Sequence, residues 1–538
     1  MIKSVILILS LLSLISYSVA NQLECTVVAG APCTSGSCAT VTLCLTWLAN
    51  QVQLNPSYNV TVVTLNDNTY DCPGVFPTAS FPRSAVHIFR TTNDINILCN
   101  TPFIDVNLPS PTNIVFEGIT FYRHSPLILA PMLKFKNLNA SAAALPTFVW
   151  YSTVFLNNAT VGGIINGHNI IIEDSQFYNN SISGVINATV SVSIDNSFFT
   201  ENFNNVTKGG AGVASAPKIF ATSSIFSKNY GVKGGVFFSD QYQYKTLGVT
   251  VDDCEFTENT AFENGGVAVA SNFVISNSAF LNNVAPFGGA INANNLNATN
   301  SLFNNNTAIR SLFSGGMGGA IMAYNNVSLV NCQVNGNEAY SFAGAIYSDQ
   351  SNSKNTFYAS NTTFDDNKVT RYDGAGGAIY FSVDDVVLLK VNIVNSSFAN
   401  NLAGKGGAIY ITDYYPSSPY NYVFNMKNTV FFNNYANDQG GAIYFRTYPT
   451  KLVGGLFIDN DAGVSQTATF TKIPTSLNIV KVFSSILLNA SNYLVPIVKD
   501  PNTSPYVMAY GVVGHCPNGC ATISLSGQVT ACSTTTCS

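Results

Sequence analysis

The sequence predicts an all-β chain: a right-handed single-stranded parallel β-helix, a solenoid, with disulfide-rich end caps. Three observations predict it. A Phe-x-x-Asn motif recurs at steps of 22 to 34 residues, the residues before it alternate apolar and polar, and Gly-Gly-Ala-Ile follows the Asn in most later copies. A period of this size belongs to a solenoid, whose single repeats cannot bury a core alone. Alternation with period two is strand patterning and excludes an amphipathic helix.

In chain order, residues 1–20 come first. One Lys, an apolar stretch from Val5 to Ile15 and Ser18-Val19-Ala20 before Asn21 predict a cleavable secretory signal peptide. Residues 21–110 form a Cys-rich N-terminal cap with Cys25, Cys33, Cys38, Cys44, Cys72 and Cys99, and residues 486–538 a C-terminal one with Cys516, Cys520, Cys532 and Cys537. Dense, even-numbered cysteines after a secretory signal predict disulfides, with the pairing left open. No later stretch has the length and apolarity of a membrane span, so no transmembrane segment is expected.

Between the caps, residues 111–485 carry the repeat. Phe155/Asn158, Phe177/Asn180, Phe199/Asn202, Phe226/Asn229, Phe256/Asn259, Phe280/Asn283, Phe303/Asn306, Phe364/Asn367, Phe398/Asn401, Phe431/Asn434 and Phe457/Asn460 mark its copies, with Val334/Asn337 in the one gap. Three residues before the Phe stands a short polar residue, such as Asp174, Asn277 or Asn331. Each copy reads as three short strands separated by polar corners. Coiling stacks like strands about 4.8 Å apart, with Phe on Phe inside and Asn ladders at the corners. Cys254 and Cys332 occupy a register filled elsewhere by Ser or Thr, three rungs apart, and are expected to be buried thiols too distant to pair.

These paired motifs resemble the repeats of bacterial polymorphic outer-membrane proteins, within the wider pectin-lyase-like β-helix group. The resemblance covers residues 111–485. It implies the fold, and by analogy a surface-adhesin role; the C-terminal autotransporter β-barrel of that family has no counterpart among these residues.

Composition narrows the function classes. Charged residues are 9% of the chain and the net charge is -5, so the basic field that nucleic acid selects is missing and no nucleic-acid partner is expected. The acid pairs Asp252-Asp253, Asp365-Asp366 and Asp384-Asp385 fall at different registers on different rungs, and His168 has only Glu173-Asp174 nearby. No catalytic residue is therefore assigned, no metal ligand set stands out, and no cofactor is expected. The chain reads as a secreted, extracellular, non-enzymatic β-helix for glycan or surface binding, adhesion or matrix organisation. Its partner would be an extracellular polysaccharide or a cell-surface glycoprotein. The alternative is a polysaccharide lyase or glycoside hydrolase. Candidate ligand residues are Tyr347, Tyr380, Tyr410 and Tyr444, at one register after the Gly-Gly-Ala-Ile motif, with Tyr414 and Tyr415 in the insertion that follows. Strand parity sets these rings opposite the inward isoleucines, facing solvent, where flat aromatic surfaces suit sugar rings. Among the N-glycosylation sequons, Asn179 and Asn305 are expected to face solvent, and Asn361 and Asn395 to turn their amides into corners.

Overall fold

The computed structural model describes residues 22–462, apart from a set of connecting segments, and the strands Cys520–Ile523 and Val529–Ser533; for those two strands and from 66 to 164 it describes the backbone alone. The signal peptide at 1–20, Tyr414, Tyr415, Cys72, Cys99, Cys516 and Cys537 lie outside the described residues. The chain is a parallel β-helix, and it divides into two compact units, Met1–Ile225 and Phe226–Ser538.

In the first unit, Gln22–Val27 pairs in parallel with Val60–Leu65, which pairs with Val86–Leu98, and that strand with Asn113–Tyr122. Parallel pairing continues through Thr147–Tyr151, Ile165–Glu173, Ile186–Asp195 and Lys218–Thr222. Rungs thus begin well before residue 111, which marks only where the motif becomes legible. Among the described residues one helix, α1 (Val41–Leu54), interrupts the strands. Thr40 caps it by accepting from the Leu43 N–H at 3.2 Å. Its buried residues Val41, Cys44, Leu45, Leu48 and Val52 follow helical spacing and pack on the first strand. Of two disulfides, Cys25–Cys44 staples α1 to that strand, and Cys33–Cys38 closes the connection between them on itself. Cys520 and Cys532 lie on two antiparallel strands, where Ala521 stands opposite Cys532.

In the second unit every rung repeats the same parallel ladders. The apolar-alternating strands include Ala268–Ser276, Ile291–Thr299, Val327–Val330, Thr356–Ser360 and Leu389–Val394. Three-residue strands carry the Phe, as in Glu255–Thr257, Ala279–Leu281 and Leu302–Asn304. A third ladder follows the Asn, from Tyr230–Lys233 to Asp461–Ala462. Inside, Phe226, Phe256, Phe280 and Phe303 stack with centroids 4.8 to 4.9 Å apart, and Phe364, Phe398 and Phe431 at 4.5 to 4.8 Å. Val334 fills the gap between the two runs and is fully buried.

Corner geometry explains the residue types. The position three before the Phe and the position two after it both take the left-handed conformation: Asp253 and Glu258, Asn277 and Asn282, Asn300 and Asn305. Asn and Asp tolerate this region better than other non-glycine residues. The Gly pair divides its labour. Gly376 and Gly406 have φ of 74° and 62°, whereas a Cβ on Gly377 or Gly407 would collide with the carbonyl oxygen of the next rung.

Candidate functional site

Most recurrent polar groups are consumed by the coil itself. Each motif Asn of the second unit, from Asn229 to Asn434, donates from Nδ2 to the next rung's Asn Oδ1, and from Asn259 onward also to a Phe or Val carbonyl of the rung before. For Asn283 these bonds measure 2.9 Å to Asn306 and 3.0 Å to the Phe256 carbonyl, and its backbone N–H reaches the same Asn306 Oδ1 at 3.0 Å. A full amide inventory is thereby satisfied inside the protein. The first unit does the same at Asn180 and Asn202.

A second ladder lies two residues before the Phe. Ser278 Oγ donates to the Ser276 carbonyl at 2.6 Å and accepts the Cys254 N–H at 3.1 Å. Cys254 and Cys332 sit in this register as free, buried thiols. Burial pushes the Cys332 thiol above its ordinary value, against smaller lowering from hydrogen bonds to backbone.

The four candidate tyrosines do share one register, Tyr347↔Tyr380↔Tyr410↔Tyr444, opposite the isoleucine row. Their rings stack at 5.0 to 5.1 Å. The expected solvent orientation is corrected: Tyr347, Tyr380 and Tyr444 are 7%, 3% and 6% exposed, and only Tyr410 is half-buried. Parity holds, but a second apolar layer covers the outer face. Met322, Ala343 and Ala375 pack with Tyr347 and Tyr380, with Phe287, Met317, Phe342 and Tyr410 beside them. The corner before the Gly pair folds back over the strand, which alternation alone does not encode.

Two further expectations can be placed. Asp253 and Asp366 occupy left-handed corners, and Asp252 and Asp365 accept amide bonds from Asn277 and Asn400, both 2.8 Å. These acid pairs serve corners on separate rungs; Asp384-Asp385 lies outside the described residues. Asn179 and Asn305 are exposed as expected. Asn361 and Asn395 are exposed too, which corrects the inward assignment: a left-handed corner projects its side chain along the surface, and Asn361 Nδ2 donates to Asn331 Oδ1 at 3.1 Å.

Sequence reasoning missed a group on the corner ahead of the Gly pair. Arg310, Tyr340, Arg371 and Tyr372 stand on this corner of three successive rungs, and the Arg310 guanidinium carbon lies 5.4 Å from the Tyr340 ring centroid. The available signal was loop length, since this is the corner where insertions concentrate.

Comparison with known proteins agrees with the coil. Residues 361–382, 395–412 and 428–446 match the Chlamydia polymorphic membrane protein repeat. The chain is 33% identical over 169 residues to the protein named Probable autotransporter YfaL of Escherichia coli (strain K12), a match over 30% of this chain and 13% of that one. The chain therefore spans a small fraction of that relative's length. No solved structure matches it. The three matched stretches are thus repeats of the polymorphic membrane protein type, carried on a parallel β-helix. No helix among the described residues is long and apolar enough to cross a membrane.

Proposed function

We propose that this chain is an extracellular, non-enzymatic binding module of the adhesin type, displayed at a surface or secreted. The observation that carries the reading is the match of its rungs to polymorphic membrane protein repeats, joined by similarity to an autotransporter. Geometry supports it. The buried motif Asn side chains are committed to ladders, and the described acid pairs stand on different rungs, so these pairs assemble no acid/base couple of the spacing glycoside hydrolysis requires. What such a coil offers is a long, regular surface with variable corners.

Its ligand class would be an extracellular polysaccharide or a cell-surface glycoprotein. The tyrosine ladder contributes to this reading at its half-buried member, Tyr410, beside the insertion that carries Tyr414 and Tyr415; the buried rings of Tyr347, Tyr380 and Tyr444 hold that strand in place. The test is adhesion of the purified, fluorescently labelled chain to cells and to a glycan array, with parallel assays for new reducing ends and unsaturated products. Saturable adhesion without turnover is expected. Reproducible turnover would replace this reading with a lyase or hydrolase.

A further inference from the structure

We propose that Arg310, Tyr340 and Tyr372 form a binding site for a terminal sugar that bears a carboxylate. The inference rests on the adhesin reading and names a ligand class for it. The site lies on the corner between the third ladder and the Gly pair. Where the Asn283 rung spans this corner with Pro286 and Phe287 alone, the Asn306 rung inserts residues 309–317 and the Asn367 rung residues 370–375.

The described ends of the first insertion, 309–311 and 315–317, are held by backbone bonds. Arg310 bridges antiparallel to Gly315, the Gly316 N–H donates to the Pro286 carbonyl at 2.8 Å, and Ser341 Oγ donates to the Gly315 carbonyl at 3.0 Å. Tyr340 is anchored by its N–H to the Ala308 carbonyl at 3.0 Å and accepts the Arg371 N–H at 2.9 Å. Arg310 thus leaves a backbone bridged to Gly315 and lays its guanidinium over the Tyr340 ring, with Nη1 3.4 Å from the hydroxyl. A guanidinium held by a ring and one hydroxyl keeps other N–H groups for a ligand.

Charge arithmetic singles Arg310 out. On the same corner and its ladder, Lys368 pairs with Glu338 at 2.9 Å, Lys405 with Asp438 at 3.4 Å and Arg371 with Asp373 at 2.5 Å. Arg371 also holds the Asp373 carboxyl below its ordinary range by a side-chain hydrogen bond. Among the described residues Arg310 has no carboxylate within ion-pair distance, and Ser311-Leu312-Phe313-Ser314 contains no acid. The corner therefore carries one uncompensated cation on a chain of net charge -5.

Two rungs on, about 10 Å away by rung spacing, Tyr372 stands in the next insertion and is 71% exposed. An unpaired planar fork selects a carboxylate by two parallel N–H bonds, and an exposed aromatic face takes the apolar face of a pyranose. A bound peptide would need a sheet edge or a groove, but here the strands on either side are already paired to neighbouring rungs. A projecting corner with one cation suits the end of a glycan, not a threaded polymer.

The test is ligand-observed NMR titration of the full chain with methyl glycosides of N-acetylneuraminic acid, glucuronic acid and galactose, and with acetate, at low and physiological salt. One or both acidic sugars should bind, more weakly as salt rises, and galactose should not; which acid binds identifies the source. Arg310→Gln should weaken binding about tenfold or more. Arg310→Lys should fall between, keeping charge without the fork. Tyr372→Ser should weaken the sugars and leave acetate unchanged. Circular dichroism must match wild type for each variant. Acidic sugars that bind Arg310→Gln as well as wild type, or acetate binding as tightly as the sugars, would overturn the site. Cell adhesion without acidic-sugar binding overturns the site and leaves the adhesin reading standing; binding to neither cells nor glycans removes both.

Discussion

Two corners of the same rung in the second unit obey opposite rules. The corner bearing the motif Asn hardly varies: left-handed residues flank a three-residue strand, and the buried Asn repeats the same bonds from Asn259 to Asn434. The corner ahead of the Gly pair changes length from rung to rung, and there Arg310, Tyr340 and Tyr372 project. A buried amide that must meet its copy about 4.8 Å away tolerates neither insertion nor substitution, because the unmatched group would stay unsatisfied on both neighbouring rungs. The open corner carries no such constraint until the chain reaches the Gly pair. Regularity therefore marks where the fold is specified, and irregularity marks where a ligand can be accommodated.

The largest expected effect tests where the open corner stops being permissive. Gly377→Ala places a methyl against the Gly407 carbonyl oxygen, which is backbone and cannot swing away. A loss of about 4 kcal/mol or more is expected, with loss of the protected amides of the flanking rungs in hydrogen exchange. Five residues earlier, Tyr372→Gly should cost under about 0.5 kcal/mol. Similar costs at both positions would erase the boundary drawn here.

Next comes the buried ladder. Asn306→Ala removes the acceptor for the Asn283 N–H and Nδ2 and the donor to the Phe280 carbonyl. The expected cost is about 2 to 4 kcal/mol, read as a shift of the denaturation midpoint. Asn305, its exposed neighbour with φ of 55°, sets the contrast. Asn305→Ala should cost about 1 kcal/mol through the left-handed conformation alone, and Asn305→Gly should recover it. If Asn305→Ala proves as costly as Asn306→Ala, the exposed amides do more than turn the chain.

Most of this coil is legible in the sequence. Phe-x-x-Asn, the Ser/Thr/Cys register and the short polar corner residue each report one side chain's environment, and a parallel stack repeats that environment without change. Helix α1 was not legible: it occurs once, among cysteines that point first to disulfides, and the Phe register has no counterpart there. The tyrosine row shows a different limit. Alternation places Tyr380 opposite Ile379 correctly, yet whether an outward ring meets water depends on Phe342 and Ala375, which arrive from another corner. The Arg310 group was invisible for a related reason, since its members come from three rungs through loops of different length.

The smallest expected effect lies at Cys332, where the uniform side of the rung accepts a substitution. Its Sγ lies 3.4 Å from the Val330 carbonyl and 3.5 Å from the Ala298 carbonyl, and its N–H donates to Thr362 Oγ1 at 3.4 Å. Serine performs the same donation at Ser278 and Ser301. Cys332→Ser should therefore stay within about 0.5 kcal/mol at neutral pH, whereas Cys332→Ala removes the side-chain donor and the acceptor atom of the ladder, leaves the Val330 carbonyl its Asn300 N–H, and should cost about 1 kcal/mol. Burial adds a pH signature. The folded thiol is pushed above the ordinary value of 9.0, so the native state keeps its proton where the unfolded chain has lost it. Stability from this group is complete below the unfolded value and falls as pH rises above it. Wild type should thus lose stability relative to Cys332→Ser above about pH 9, and alkylation of Cys332 should follow opening of its rung and not exposure to reagent. Rapid labelling in the native state at pH 8, or a stability difference between the two proteins that ignores pH, would place Cys332 outside the ladder and undo the register on which the comparison of the two corners depends.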